Sequence, residues 1–276
     1  SECTVDFINL YCEYLKPKYT ASTIHTMLAP VCKCLNIKMN EIDNKELRHT
    51  SENIRGRSFI ETKARSDNDE NDPRWNKLII IANSCGLRRN ELKNLKIKSF
   101  IPSGFIDDFD YLCVVGKGGK KTYQRLLYRN EEEQELVREW FNPLTHDMND
   151  FVFQGNEFQG NSLNLHRIRS NVAKRAYRFY VEKMNSDPLY RKQLIQECKR
   201  QWDLLNHRAD GAPRNFPTNR YTGYYYLRGK NRSFAKEHNL PLYYDKLGVL
   251  ACSLFHLAHN RLDCSVNHYL TVPENR

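Results

Sequence analysis

Apolar side chains recur every three or four residues over Val5 to Leu15 and again over Thr20 to Leu35, the period of helices with one buried stripe. Thr20 and Ser22 supply hydroxyls able to cap the second stretch. Together they predict a small helical domain spanning residues 1–65. The segment from Ser66 to Asp72 is polar and acidic, ends at Pro73, and holds nothing that packs a core. Residues 66–73 therefore read as a linker, and 74–276 as a second, larger domain.

The next helix has Asp72 as a cap and Pro73 at its first position, runs through Trp75 and Leu78 to Ile81, and stops at Gly86. Another helix is expected from Arg89 to Leu95. The period then switches to two: Tyr111 to Val115 and Thr122 to Tyr128 predict strands around the glycine-rich connection Gly116 to Lys120. Helical periodicity resumes over Glu131 to Phe141, Leu163 to Met184 and Pro188 to Asn206. Arg208 to Tyr226, rich in Pro, Gly, Arg and Tyr, reads as irregular, and helices return over Tyr244 to Leu257 and Leu262 to Leu270. The expected fold is mainly α (α+β), a helical domain followed by a mixed domain with one small antiparallel sheet.

Composition narrows the class. The 276 residues are 40% hydrophobic, 12% aromatic and 28% charged, which is too apolar for a disordered chain. No apolar run approaches the roughly 18 to 20 residues that cross a bilayer, the longest clear one being Leu78 to Ala82, so no membrane partner is expected. The nine cysteines are odd in number and scattered; reduced thiols filling core positions fit them best. Cys32 and Cys34 form a CxC pair that no matching CxxC or His cluster extends into a zinc site, and no metal or other cofactor is expected. The chain begins at Ser1, so an address signal ahead of it is unreadable.

The formal charge of +10 is concentrated in Arg167 to Arg178, Arg191 to Arg214 and Arg220 to Lys236, interleaved with Tyr, Trp and Phe. A surface of that kind attracts phosphate backbones. Arg167, Lys174, Arg228, Lys230 and Arg232 are the residues assigned to DNA contact. Four separated motifs sharpen the picture. In Cys85 to Leu92 a helix ends at Gly86, Arg88 opens the next, and Glu91 follows one turn on. In Val115 to Gly118 a lysine, Lys117, stands on a glycine hairpin. In His166-Arg-Ile-Arg169 the His and the second Arg share one helical face. The last motif runs from Leu257 through His259 to Tyr269 and Leu270.

In this order the motifs resemble the tyrosine recombinase (phage integrase) family, in which a "GLRxxEL" box, a "GKG" hairpin lysine, an "HxxR" box and an "LGH…Y" ending surround one scissile phosphate. Gly86 to Leu92, Gly116 to Gly118, His166 to Arg169, and Leu257-Ala-His259 followed by Tyr269 meet the four boxes here. The likeness covers about residues 74–270, and the N-terminal helices resemble the family's core-binding domain. It implies a site-specific recombinase, an enzyme that cuts and rejoins double-stranded DNA through a 3′-phosphotyrosyl link, working as a homotetramer on two recombination sites. Integration, excision or transposition of a mobile element would be its role, in the cytoplasm at the nucleoid, or in the nucleus of a eukaryote.

The chemistry calls for these residue types. Charge builds on the two non-bridging oxygens as a phosphodiester is attacked, and two guanidiniums, Arg88 and Arg169, hold both without a metal. A phenol is a poor nucleophile until nearby cations and a base ease loss of its proton. The resemblance makes Tyr269 the nucleophile, Lys117 the proton donor to the departing 5′-oxygen, His166 an aid to proton transfer and His259 a hydrogen bonder to phosphate. Glu91 orients Arg88. Arg89 is an alternative to Arg88, Lys120 and Lys121 to Lys117, His256 and His268 to His259, and Arg228 or Arg232 to Arg169.

Three positions depart from the pattern: Cys85 replaces a usual Thr, Ala258 a usual Gly, and Ser170 a frequent His. A larger departure is the 93-residue spacing between His166 and His259, which implies an insertion at about 184–247. This stretch is expected to add DNA contacts or a protomer interface. Type IB topoisomerases use similar groups to nick and close one duplex, and a DNA-binding accessory protein without catalysis is the reading from a different class.

Overall fold

The computed structural model describes residues 2–19, 21–43, 72–116, 119, 121–205, 216, 221–259 and 261–271. Lys117, Gly118 and Lys120 lie outside them, as do residues 66–71 of the segment expected to link domains. The chain divides into two compact units, Ser1–Ile54 and Arg55–Arg276. In the first, α1 (Glu2–Leu15) and α2 (Ala21–Cys34) bury Ile8, Cys12 and Leu15 against Ile24, Leu28 and Cys32, and Ile42 closes the cluster. These are the apolar stripes read from the sequence.

The second unit is mainly helical, with two small antiparallel sheets. Its first layer holds α3 (Asn76–Ser84), α4 (Arg89–Lys93), the strands β1 (Phe100–Ile101), β2 (Tyr111–Val115) and β3 (Lys121–Arg125), and α5 (Glu131–Trp140). Asp72 accepts from the Arg74 amide and Pro73 opens a 3₁₀ turn into α3, so the α-helix starts three residues later, at Asn76, than a single helix from Pro73 would give. The sheet order is β1-β2-β3, with Val115 opposite Lys121 at the hairpin. β3 ends at Arg125 and not at Tyr128. Beyond it the amides of Leu126 and Leu127 leave the ladder to bond the carbonyls of Asp110 and Ser84, joining the sheet to the end of α3.

The second layer holds α6 (Leu165–Ser186), α7 (Tyr190–Leu205), β4 (Tyr224–Tyr226), α8 (Gly229–Glu237), β5 (Tyr243–Asp245), α9 (Lys246–His256), α10 (Leu262–Ser265) and a π-helical turn, Val266–Leu270. The irregular reading of Arg208 to Tyr226 is corrected at its end, where Tyr224–Tyr226 pairs with Tyr243–Asp245 as a two-stranded ribbon. That ribbon also delays α9, which starts at Lys246 because Asp245 caps it by accepting from the amides of Leu247 and Gly248. The inserted stretch is no appendage: Tyr190, Leu194, Cys198 and Trp202 of α7 share one core with Tyr180 of α6 and Leu250 and Leu254 of α9.

Polar groups pin the two layers together. Arg125, 1% exposed, donates from Nε to the Tyr111 hydroxyl (2.8 Å) and from Nη1 to the Tyr180 hydroxyl (3.3 Å). Its Nη2 reaches Asp107 (2.5 Å) and Glu197 (3.0 Å), so one side chain ties β2, β3, α6 and α7. Gly86 makes a second seam. A Cβ there would overlap the carbonyl oxygen of His256, so only glycine lets the turn between α3 and α4 lie against the end of α9. That contact brings the arginine that follows Gly86 beside the histidine that follows α9.

Candidate active site

Four segments converge in the second unit. The first supplies Arg88, whose extended backbone precedes α4. Glu91, buried on the first turn of that helix, holds Arg88 twice: it accepts the Arg88 amide at 2.7 Å and the guanidinium Nη1 at 2.7 Å. The Arg88 side chain remains 37% exposed. Arg89 is turned away, donating to the Asn161 side chain and the Leu163 carbonyl at 3.0 Å each.

The second segment is the start of α6, capped by Asn164, whose side chain accepts the Arg167 amide. One helical face carries His166 and Arg169 inward. Arg169 is 3% exposed. Its Nε donates to the Tyr269 hydroxyl at 3.1 Å and its Nη2 to the Leu257 carbonyl at 2.7 Å, while Nη1 is buried with no hydrogen-bond partner among the described residues. Burial works against its charge, opposed by Tyr269 and reinforced by repulsion from Arg88, and its pKa is lowered from the ordinary arginine value. Two cations thus lie close enough to repel one another.

The third segment is the turn after α9. Ala258 has φ +49°, the left-handed conformation that glycine adopts without strain. This is the physical reason a Gly suits the position where Ala258 stands. The turn lets the His259 amide return to the Ser253 carbonyl at 2.9 Å and aims the imidazole at Arg88, whose Nη2 lies 3.4 Å from Nε2. Arginine can only donate, so His259 Nε2 accepts and the ring proton sits on Nδ1. Burial first, then repulsion from Arg169 and Arg88, lowers His259 from 6.5 to about 3 and keeps it neutral.

The fourth segment carries Tyr269, 7% exposed, on the π-helical turn, closed by the Thr271 amide on the Val266 carbonyl. Such turns recur at functional sites because the extra residue re-aims one side chain. The Tyr269 ring lies 5.2 Å from the His166 ring and 5.9 Å from the His259 ring. Its carbonyl accepts from the Ser170 hydroxyl at 2.6 Å. Ser170 is thus a positioning residue that the sequence reading noted only as a departure. Arg88, Glu91, His166, Arg169, His259 and Tyr269 are therefore brought together; Lys117 lies outside the described residues.

The alternatives fall elsewhere. His256 is buried against the Tyr180 hydroxyl at 3.0 Å, one turn before the site. His268 lines a cleft of about 420 Å³ next to it with His259, Arg261 and Asn267. Arg228 borders a second cleft, and both it and Arg232 are exposed on the inserted stretch. Arg167 is half-buried. Lys174, assigned to DNA contact from the sequence, lies inward on α6 with its ammonium nitrogen enclosed. The side chain of Lys230 lies outside the described residues. Among the described residues no cluster of His, Cys, Asp or Glu is spaced to hold a metal ion, and no helix is long and apolar enough to cross a membrane.

The buried His256 makes acid stability a measurable signature. Burial, then repulsion from Arg125 and Arg175, lowers His256 from 6.5 to about 3. Between those values the unfolded chain binds the proton and the folded chain does not, so stability falls as pH drops below about 6.5. Each pKa unit is about 1.4 kcal/mol, and at pH 4.5 His256 alone is expected to cost about 3 kcal/mol relative to pH 7.5. Urea unfolding at the two pH values should show a smaller acid loss in His256→Gln than in the unsubstituted protein. An equal loss in both would overturn this assignment.

Compared with protein-family models, with curated proteins and with solved structures, the chain gives no match.

Proposed function

We propose that this chain is a site-specific DNA recombinase that breaks and rejoins strands with Tyr269 as nucleophile. The observation that carries the reading is the state of Arg169. Its guanidinium donates to the phenol oxygen, while a buried Nη1 has no hydrogen-bond partner among the described residues. An unpartnered buried donor of that strength is costly, and an anionic oxygen would satisfy it.

In the proposed reaction a phosphate of duplex DNA enters between Arg88 and Arg169, with the Nδ1–H of neutral His259 donating to one of its oxygens. The entering phosphate competes with the phenol for Arg169. The Tyr269 oxygen, losing its proton with help from His166, attacks phosphorus, and the bond from phosphorus to the 5′-oxygen breaks. The departing oxygen takes a proton, assigned by family resemblance to Lys117. The product is a 3′-phosphotyrosyl link and a free 5′-hydroxyl. A 5′-hydroxyl from another strand reverses the steps, so the bond energy is conserved and each strand is resealed. A homotetramer on two sites completes the proposal.

A duplex nicked just 3′ of the cut position loses its short 5′-hydroxyl strand on cleavage and traps the covalent species. We expect a denaturation-resistant protein–DNA adduct whose linked peptide contains Tyr269, and no adduct from Tyr269→Phe with duplex affinity retained. No adduct from either protein would leave a DNA-binding accessory protein. Adducts without strand transfer between two duplexes would leave a nicking and closing enzyme.

A further inference from the structure

We propose that Tyr224, Tyr226 and Tyr243, on the outer face of the β4–β5 ribbon, form a stacking platform for unpaired DNA bases. The inference deepens the strand-cleaving reading, on which its biological role rests. Cross-strand partners share a face of a ribbon, and Tyr226 pairs with Tyr243 while Tyr225 pairs with Tyr244. The second pair points inward, Tyr244 into the core and Tyr225 packed against it. The first pair, with Tyr224, points out: the three rings are 50%, 60% and 54% exposed for Tyr224, Tyr226 and Tyr243.

Their centroids lie 5.1 to 6.4 Å apart, so they act as one aromatic surface and not as scattered residues. Beside it is a cleft of about 410 Å³ lined by Tyr224, Tyr226, Arg228 and Lys246, two cations with no carboxylate among the described lining residues. Aromatic rings flanked by cations suit a polyanion whose bases offer flat faces. The cleft also adjoins the candidate active site. Asn267 borders both clefts, accepts from the Asn231 side chain at 2.8 Å, and lies two positions before Tyr269.

The chemistry supplies the occupant. Any strand swap between duplexes passes through a stage in which nucleotides beside the break have left one partner strand and not yet joined the other. Rings next to the break would hold those bases while the 5′-end moves.

The test compares a fluorescein-labelled duplex carrying a two-nucleotide bulge with its fully paired counterpart, by anisotropy at one fixed salt concentration. The unsubstituted protein is expected to favour the bulge on the order of tenfold. Tyr224→Ala/Tyr226→Ala/Tyr243→Ala should remove that preference and leave affinity for the paired duplex unchanged; the corresponding triple Phe variant should keep it. If the triple Ala variant does not fold, Tyr226→Ala alone must reduce the preference severalfold. Equal binding of both duplexes by the unsubstituted protein overturns the proposal, as does a preference that survives the alanines. Loss of self-association in the alanine variant, with no bulge preference in the parent, would make the surface a contact between copies. A bulge preference without a Tyr269 adduct would defeat the recombinase reading and leave the platform standing; an adduct without the preference would do the reverse.

Discussion

Arg169→Ala is expected to lower the first-order rate of strand cleavage on the nicked duplex by about a thousandfold or more, with duplex affinity changed less than tenfold. One preorganised donor to a developing oxyanion contributes about 10² to 10³ in rate, and Arg169 would supply two. Most of the affinity for duplex comes from many phosphate contacts, so one buried guanidinium contributes little to it. The substitution also has a structural effect, because Nη2 holds the Leu257 carbonyl and Nε the Tyr269 hydroxyl. Arg169→Lys separates the two roles. It keeps a charge and some of the packing but cannot make the planar fork, so it should fold with near-normal stability and still cleave about a hundredfold more slowly. Single-turnover rates and thermal melts of both variants supply the check. An Arg169→Ala protein that cleaves within tenfold of the parent would remove this residue from the phosphate clamp and leave Arg228 or Arg232 to be examined.

The site was legible because its parts are local. Gly86 ending a helix, Arg88 and Glu91 one turn apart, and His166 three residues before Arg169 are spacings that fix a side chain's direction before any tertiary contact is known. Glu91 reaching both the amide and the guanidinium of Arg88 follows from that spacing alone. What sequence could not give was the state of the assembled groups. Tyr269 read as a nucleophile at a helix end, yet it lies on a π-helical turn with its hydroxyl held by Arg169 and its carbonyl by Ser170. A shift from i+4 to i+5 bonding leaves the apolar period nearly unchanged, so nothing in the spacing announced it.

The missed ribbon has a different cause. Tyr224 to Tyr226 and Tyr243 to Asp245 are three-residue strands separated by a helix, and their pairing is non-local. Three residues are too few for an alternation to be recognised, and the surrounding Gly, Pro and Arg read as loop. Lys174 is hidden for the opposite reason: a basic run gives no sign of which of its members face inward, and α6 is packed on several sides, so its Lys174 is buried.

Arg125 is the clearest case of a residue hidden from sequence, and it carries the largest expected effect on stability. Alternation along β3 buries Thr122 and Gln124, which gives no reason to expect a fully enclosed guanidinium next to them. Burial works against its charge, but Tyr180, Tyr111 and Asp107 outweigh it and hold the group more firmly protonated than an ordinary arginine. Its planar group also rests on the Phe255 ring at 3.7 Å, so it packs as well as pairs. Removing one partner of such a set leaves the others uncompensated, and Arg125→Met should lose about 3 to 5 kcal/mol in urea unfolding. Asp107 and Glu197 retain about a fifth of their side-chain exposure, which lets water repair part of the damage. Adding Asp107→Asn to Arg125→Met removes one stranded charge, so the double variant should recover stability relative to Arg125→Met, giving a measurable coupling energy between the two positions. Strict additivity would mean that the pair contributes through packing only. Because the Tyr180 hydroxyl links Arg125 to His256, and the His256 carbonyl lies against Gly86, the same substitution is expected to slow cleavage in the protein that remains folded. Arg125 thus reaches the candidate site through the Tyr180 hydroxyl, His256 and the glycine turn.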